Sequence, residues 1–166
     1  DIYTLFAKGD IDAAWVPEPT ATILVQQLDG KRLFHEEELW PEGRFASVLL
    51  IAREEYANQN PDLINKWLKA NQQTIDWINS NPEQTRITFI EFMKKETGKS
   101  LSDGLVDEAL SNLKFTSDPI VSSIHTFAKR ADSLGYLGRH GYSLDGIFFD
   151  KNSNSQLQEV LVNDKT

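Results

Sequence analysis

The sequence predicts an α/β fold rich in helix, and three observations predict it. Two short apolar runs, residues 11–16 and 48–51, have the length and composition of buried strands. Several longer stretches repeat apolar residues at three- and four-residue spacing, the period of a helix face. Proline and glycine bracket those stretches where helices start and stop.

In chain order, residues 1–8 read as the last turns of a helix, with Ile2, Leu5 and Phe6 apolar and Gly9 as the stop. Residues 11–16 follow as a short strand, apolar apart from Asp12. Pro17 and Pro19 end it and open a helix over residues 20–28, whose Ala21, Leu24, Val25 and Leu28 share one face. Asp29-Gly30 stops that helix. Residues 31–35 are a candidate strand, and Glu36-Glu-Glu38 reads as a solvated turn. Residues 45–53 form the strongest strand signal, since residues 48–51 are continuously apolar, as in a strand covered on both faces.

Four helices are expected after it. Asn60-Pro61 opens one that carries Ile64, Trp67, Leu68, Asn71, Ile75 and Ile78 at helical spacing. Asn81-Pro82 opens the next, with Ile87, Phe89, Ile90 and Met93 on its apolar side and Gly98 at its end. Ser100 and Asp103 resemble a capping box before Leu105, Val106, Ala109, Leu110 and Leu113. Asp118-Pro119 opens the last, whose buried face is expected to be Ile120, Ile124, Phe127, Ala128, Ala131 and Leu134. The pattern weakens from Gly138. Residues 141–149 suit a docked loop, residues 150–155 a polar tract and residues 156–162 a short terminal helix.

Composition narrows the function. The formal net charge is −8, and the basic doublets Lys94-Lys95 and Lys129-Arg130 make no stripe, which excludes a nucleic-acid partner. The chain has no cysteine, so disulfides, thiolate nucleophiles and Cys-based zinc sites are excluded. No apolar run approaches the roughly 18 residues that span a bilayer. His35, His125 and His140 are scattered, with no metal-ligand spacing. No serine lies in a Gly-x-Ser-x-Gly elbow and there is no Gly-rich phosphate loop, so neither a catalytic residue nor a cofactor is assigned.

The candidate site is the strand-to-helix junction. In an open α/β sheet, ligands bind beyond the carboxyl ends of the strands. That rule puts Trp15, Glu18 and Thr20 at a ligand edge. Trp15 is either a core residue closing the strand or the aromatic wall of a cleft. Glu18 is either an internal cap of the following helix or a partner for a cationic part of the ligand, because a carboxylate at a helix N-terminus competes with an anion for the same amides. Trp40 and Arg44 flank the start of the long strand. Arg44 suits an anion across a cleft or an ion pair with Glu36 to Glu38.

The same segments carry a family resemblance. Gly9-Asp-Ile-Asp-Ala-Ala-Trp-Val-Pro-Glu-Pro-Thr-Ala-Thr22 resembles a stretch of ABC-transporter solute-binding proteins, in the subgroup that takes aliphatic sulfonates, taurine, nitrate or thiamine-pyrimidine precursors. Trp40-Pro-Glu-Gly-Arg-Phe45, Val48-Leu-Leu-Ile-Ala-Arg53, Asn60-Pro-Asp-Leu-Ile-Asn-Lys-Trp-Leu68, Asp76-Trp-Ile-Asn-Ser-Asn-Pro-Glu83 and Phe115-Thr-Ser-Asp-Pro119 continue it. It covers residues 5–138 and matches the later half of such proteins, which implies a C-terminal fragment of a two-lobe type II periplasmic-binding-protein fold. Residues 1–44 then close lobe two, and residues 45–166 return into lobe one.

The resemblance implies reversible capture of a small anionic solute, with a sulfonate first, by hinge closure in a periplasmic or otherwise extracytoplasmic protein. The hinge falls near residues 40–46, where Gly43 gives freedom and Pro41 limits the bend. An ABC permease is the implied partner, and membrane contact comes only through it or through a lipid anchor outside this chain. With its apolar strand unpaired, the isolated chain is expected either to dimerise or to be only part of what folds together. Nitrate and thiamine-pyrimidine precursors are alternative ligands. A helical interaction module is an alternative class, and it predicts a complete helical core with no cleft at Trp15. An enzyme is a third, because one branch of similar proteins makes the thiamine pyrimidine, but no metal or nucleophile constellation supports it.

Overall fold

A computed structural model of the chain describes residues 1–138 and 141–149. Its regular structure is helical: α1 (Ile2–Lys8), α2 (Thr20–Leu28), α3 (Glu54–Gln59), α4 (Pro61–Ser80), α5 (Pro82–Thr97), α6 (Asp103–Ser111) and α7 (Val121–Ser133), with 3-10 turns at Glu36–Leu39 and Pro41–Gly43. The expected tract 150–155 and helix 156–162 lie outside the described residues.

Local chemistry explains the helix boundaries. Asp1 caps α1 by accepting from the Tyr3 amide, and Gly9 closes it in the left-handed conformation with its amide on the Leu5 and Phe6 carbonyls. Pro61 and Pro82 occupy first positions of α4 and α5, where a missing N–H costs nothing. Gly98 ends α5 at φ 70. Ser102, not Ser100, caps α6, accepting from the Leu105 amide. Helix α7 starts after Asp118-Pro119 rather than on it. Ile120 is left-handed (φ 50, ψ 63), a strained setting for a β-branched residue, and its amide donates to Asp118 Oδ1 at 2.9 Å.

The α/β expectation is corrected in its β half. Among the described residues there is no strand. Residues 11–16, 31–35 and 45–53 are outside any paired ladder, and the apolar run of residues 48–51 is open to solvent, with Val48 90% and Ile51 86% exposed. A strand exists only by hydrogen bonding to a neighbour, and these segments meet none. Apolar sequence therefore marked them as strand-like without supplying the partner.

The elements pack in two groups. In one, Asp1–Leu33 joins Arg53–Ser117; in the other, Phe34–Ala52 joins the described residues from 118 to 149. The first buries Leu24, Ala57, Leu105, Val106 and Ala109, with α6 seated on α2 and α5. Arg86 of α5 pairs with Asp107 of α6 at 2.8 Å, with Asp103 and Glu83 further off. On α4, Trp67 is exposed, while Ile64, Asn71, Ile75 and Ile78 of the expected face are half-buried.

The second group is organised by Trp40. Its ring stacks on Phe45 (centroids 4.6 Å apart) and Phe127 (5.9 Å), Arg130 lies 4.6 Å over it, and its Nε1 donates to Glu36 at 2.6 Å. Arg130 also donates to the Leu39 carbonyl, and the Ala46 amide donates to the buried Ser123. Arg44 pairs with Asp118, not with Glu36 to Glu38. The segment expected to hinge, residues 40–46, is therefore fastened to α7. The buried face of α7 is Val121, Ser123 and Ala128, while Phe127 and Leu134 face outward.

Candidate functional site

The junction between residues 11–16 and α2 puts each predicted site residue in a different environment. Trp15 lies in irregular backbone with its side chain 67% exposed, so it is not the core residue that closes a strand. Thr20 is the first residue of α2 and is half-buried. Glu18, one residue before the α2 N-cap Pro19, has a side chain only 6% exposed.

Burying a carboxylate is costly unless donors surround it, and here they do. The Thr22 amide donates to Glu18 Oε2 at 3.0 Å, which caps α2. Arg32 Nη2 donates to Oε1 at 2.7 Å, and Asn112 Nδ2 donates to the same oxygen at 2.9 Å. Arg32 also reaches Thr22 Oγ1 at 3.4 Å, and the Thr22 side chain is fully buried. Burial pushes the Glu18 carboxyl up, but the Thr22 amide, the Arg32 guanidinium and the Thr22 hydroxyl together hold it below the ordinary glutamate range. Of the two readings of Glu18, the geometry is that of the internal cap.

Sequence reasoning missed Arg32, Thr22 and Asn112. Thr22 sits four residues after Glu18, a spacing that local pattern could have flagged. Arg32 and Asn112 are 14 and 94 residues away, distances that no periodicity reaches. A second bond joins the same elements: Gln26 of α2 donates to Glu108 of α6 at 2.5 Å.

Two open grooves lie elsewhere in this group. One of about 420 Å³ sits on α4 at Ala70, Gln73, Thr74 and Trp77. Another of about 280 Å³ is lined by Ile78, Thr85, Asp107, Leu110 and Phe115 among others. Neither includes Trp15, Glu18 or Thr20. Among the described residues, no group of three or more His, Asp or Glu side chains is placed to hold a metal ion.

Comparison with known proteins adds the family context. The profile of the NMT1-like family matches residues 1–93. Proteins of Brucella abortus strain 2308, Brucella abortus biovar 1 and Brucella suis biovar 1, each bearing the name of a candidate binding protein, are 26% identical to the chain over 121 residues. That alignment covers 72% of this chain and 36% of each relative, so the chain spans about a third of the length of the curated relatives it matches. No solved structure matches the chain.

Proposed function

Since the chain belongs to the NMT1-like family, a family related to the periplasmic binding proteins of ABC transporters, we propose that it is part of a protein that captures a small solute reversibly for an ABC importer. The observation that carries this reading is the family match across residues 1–93, which takes in the whole junction from Trp15 to Thr20. The names of the Brucella relatives, as candidate binding proteins, favour capture over turnover.

In its finer form, the proposal is a two-lobe type II fold in which residues 1–44 belong to lobe two and residues 45–166 to lobe one. The solute is a small anion, with an aliphatic sulfonate first. Trp15, Glu18 and Thr20 form part of the rim: the exposed indole offers a stacking face, Thr20 a hydroxyl, and Glu18 fixes the start of α2. Because Arg32 offsets the Glu18 charge, that carboxylate does not stand bare before an anion. The exposed apolar run at residues 48–51 supports a protein whose remaining part covers it.

Closure follows from contact with both lobes, since a ligand shifts the equilibrium by its differential affinity for the closed state. The location is extracytoplasmic, with an ABC permease as partner. No helix among the described residues is long and apolar enough to cross a membrane. The helical content by itself also suits an interaction module, and the family match weighs against that alternative. Calorimetry of the complete two-lobe protein that contains this chain, against taurine, methanesulfonate, nitrate and a thiamine-pyrimidine precursor, tests the proposal. Saturable binding of one of them without product formation is expected. No binding to any, or the formation of product, overturns it.

A further inference from the structure

Residues 11–18 belong to no helix, yet the rim residues Trp15 and Thr20 depend on where this stretch runs. The Glu18 carboxylate ties it to three places at once: the first turn of α2 through the Thr22 amide, the segment after α2 through Arg32, and the end of α6 through Asn112. Asn112 is the C-cap residue of α6, so its amide group is carried by a helix whose Leu105, Val106 and Ala109 are buried. That helix is a rigid reference against which an irregular segment can be set.

Resting on the solute-binding reading above, we infer that Asn112 and Arg32 are positioning residues for the solute rim, acting through Glu18. Their work is geometric. Two donors, 14 and 94 residues further along the chain, converge on Glu18 Oε1, and the Thr22 amide takes Oε2. With both oxygens engaged, Glu18 has one orientation, and the backbone between Trp15 and Thr20 follows from it. Releasing one donor leaves the carboxylate able to turn and the rim able to shift. A displacement of about 1 Å at a recognition site is enough to weaken binding substantially. Arg32 also neutralises the carboxylate, so its loss would combine a charge effect with a geometric one. Asn112 is uncharged and isolates the geometric part.

The test is a double-mutant cycle on affinity in the complete two-lobe protein that contains this chain, read by calorimetry with taurine, methanesulfonate and nitrate as probes. Asn112→Ala should weaken the Kd of the bound probe about tenfold, with the helical spectrum unchanged at the temperature of measurement. In a Glu18→Met background, which lacks the acceptor, the same substitution should change Kd less than twofold. If Glu18→Met folds poorly, Asn112→Ser takes its place: its shorter hydroxyl donor should give an affinity between those of the wild type and the alanine variant. A Kd unmoved by Asn112→Ala overturns the positioning role and leaves the solute-binding reading standing. An equal loss in both backgrounds also overturns it, because the effect would not pass through Glu18. A complete wild-type protein that binds none of the probes overturns the solute-binding reading and this inference with it.

Discussion

At the scale of single residues, Glu18 and Asp118 are the acids the fold has perturbed. Burial pushes both up, and hydrogen bonds and an arginine outweigh it: Thr22 and Arg32 at Glu18, the Ile120 amide and Arg44 at Asp118. Each carboxyl therefore sits below its ordinary value in the folded state. Such a group contributes its stability in full above the unfolded value and loses it as pH falls through the folded one. The melting temperature is thus expected to drop as pH falls from about 5 toward 3, and Glu18→Gln should flatten that slope. Differential scanning calorimetry across this range decides it, and an equal slope in the variant counts against the arrangement. At neutral pH, Glu18→Ala is expected to cost about 1–3 kcal/mol, since it strands Arg32 and leaves the Thr22 amide without its cap. The sequence offered both readings of Glu18: the Thr22 amide that caps α2 lies four residues away, but Arg32 and Asn112, which take its other oxygen, come from 14 and 94 residues along the chain.

At the scale of elements, helix ends were legible and strands were not. Asn60-Pro61, Asn81-Pro82, Gly9 and Gly98 act through backbone geometry within a few residues, and the boundaries of α1, α4 and α5 fall where these residues put them. A strand depends on a neighbour that no local pattern names, so residues 11–16 and 45–53 kept their apolar character without forming one. Helix faces were read less well than helix ends. On α4 the expected Ile64, Ile75 and Ile78 are only half-buried and Trp67 is exposed, whereas on α6 the expected Leu105, Val106 and Ala109 are buried. In this chain, Trp67→Gln should therefore change stability by less than about 0.5 kcal/mol, and Leu105→Ala should cost about 2–5 kcal/mol. Urea titration of both separates an exposed face from a core. At the end of α2, a Cβ on Gly30 would meet the Leu24 carbonyl oxygen at 2.8 Å, a backbone atom that cannot turn aside. Gly30→Ala is expected to cost about 1–3 kcal/mol in the same assay, and a neutral result would mean the turn is looser than described.

At the scale of the whole molecule, the apolar run at residues 48–51 outweighs any single contact. An open stretch with unpaired backbone is a template for pairing with another chain. The 166-residue chain alone is expected to associate with rising concentration in light scattering. Leu50→Lys should suppress this without lowering the melting temperature, and a chain that stays monomeric at all concentrations refutes the expectation. The bond from Asn112 to Glu18 has a different consequence, one of time. Its partners are 94 residues apart, and the stretch between them includes residues 34–52, which pack with the other group. At roughly 5–20 residues per second of synthesis, Asn112 reaches the end of the ribosomal tunnel about 5–19 s after Glu18. During that interval Arg32 becomes available to Glu18 long before the end of α6 does, so the Asn112 bond is the last of the three to form. That last bond therefore forms only after the whole of residues 34–52 is already outside.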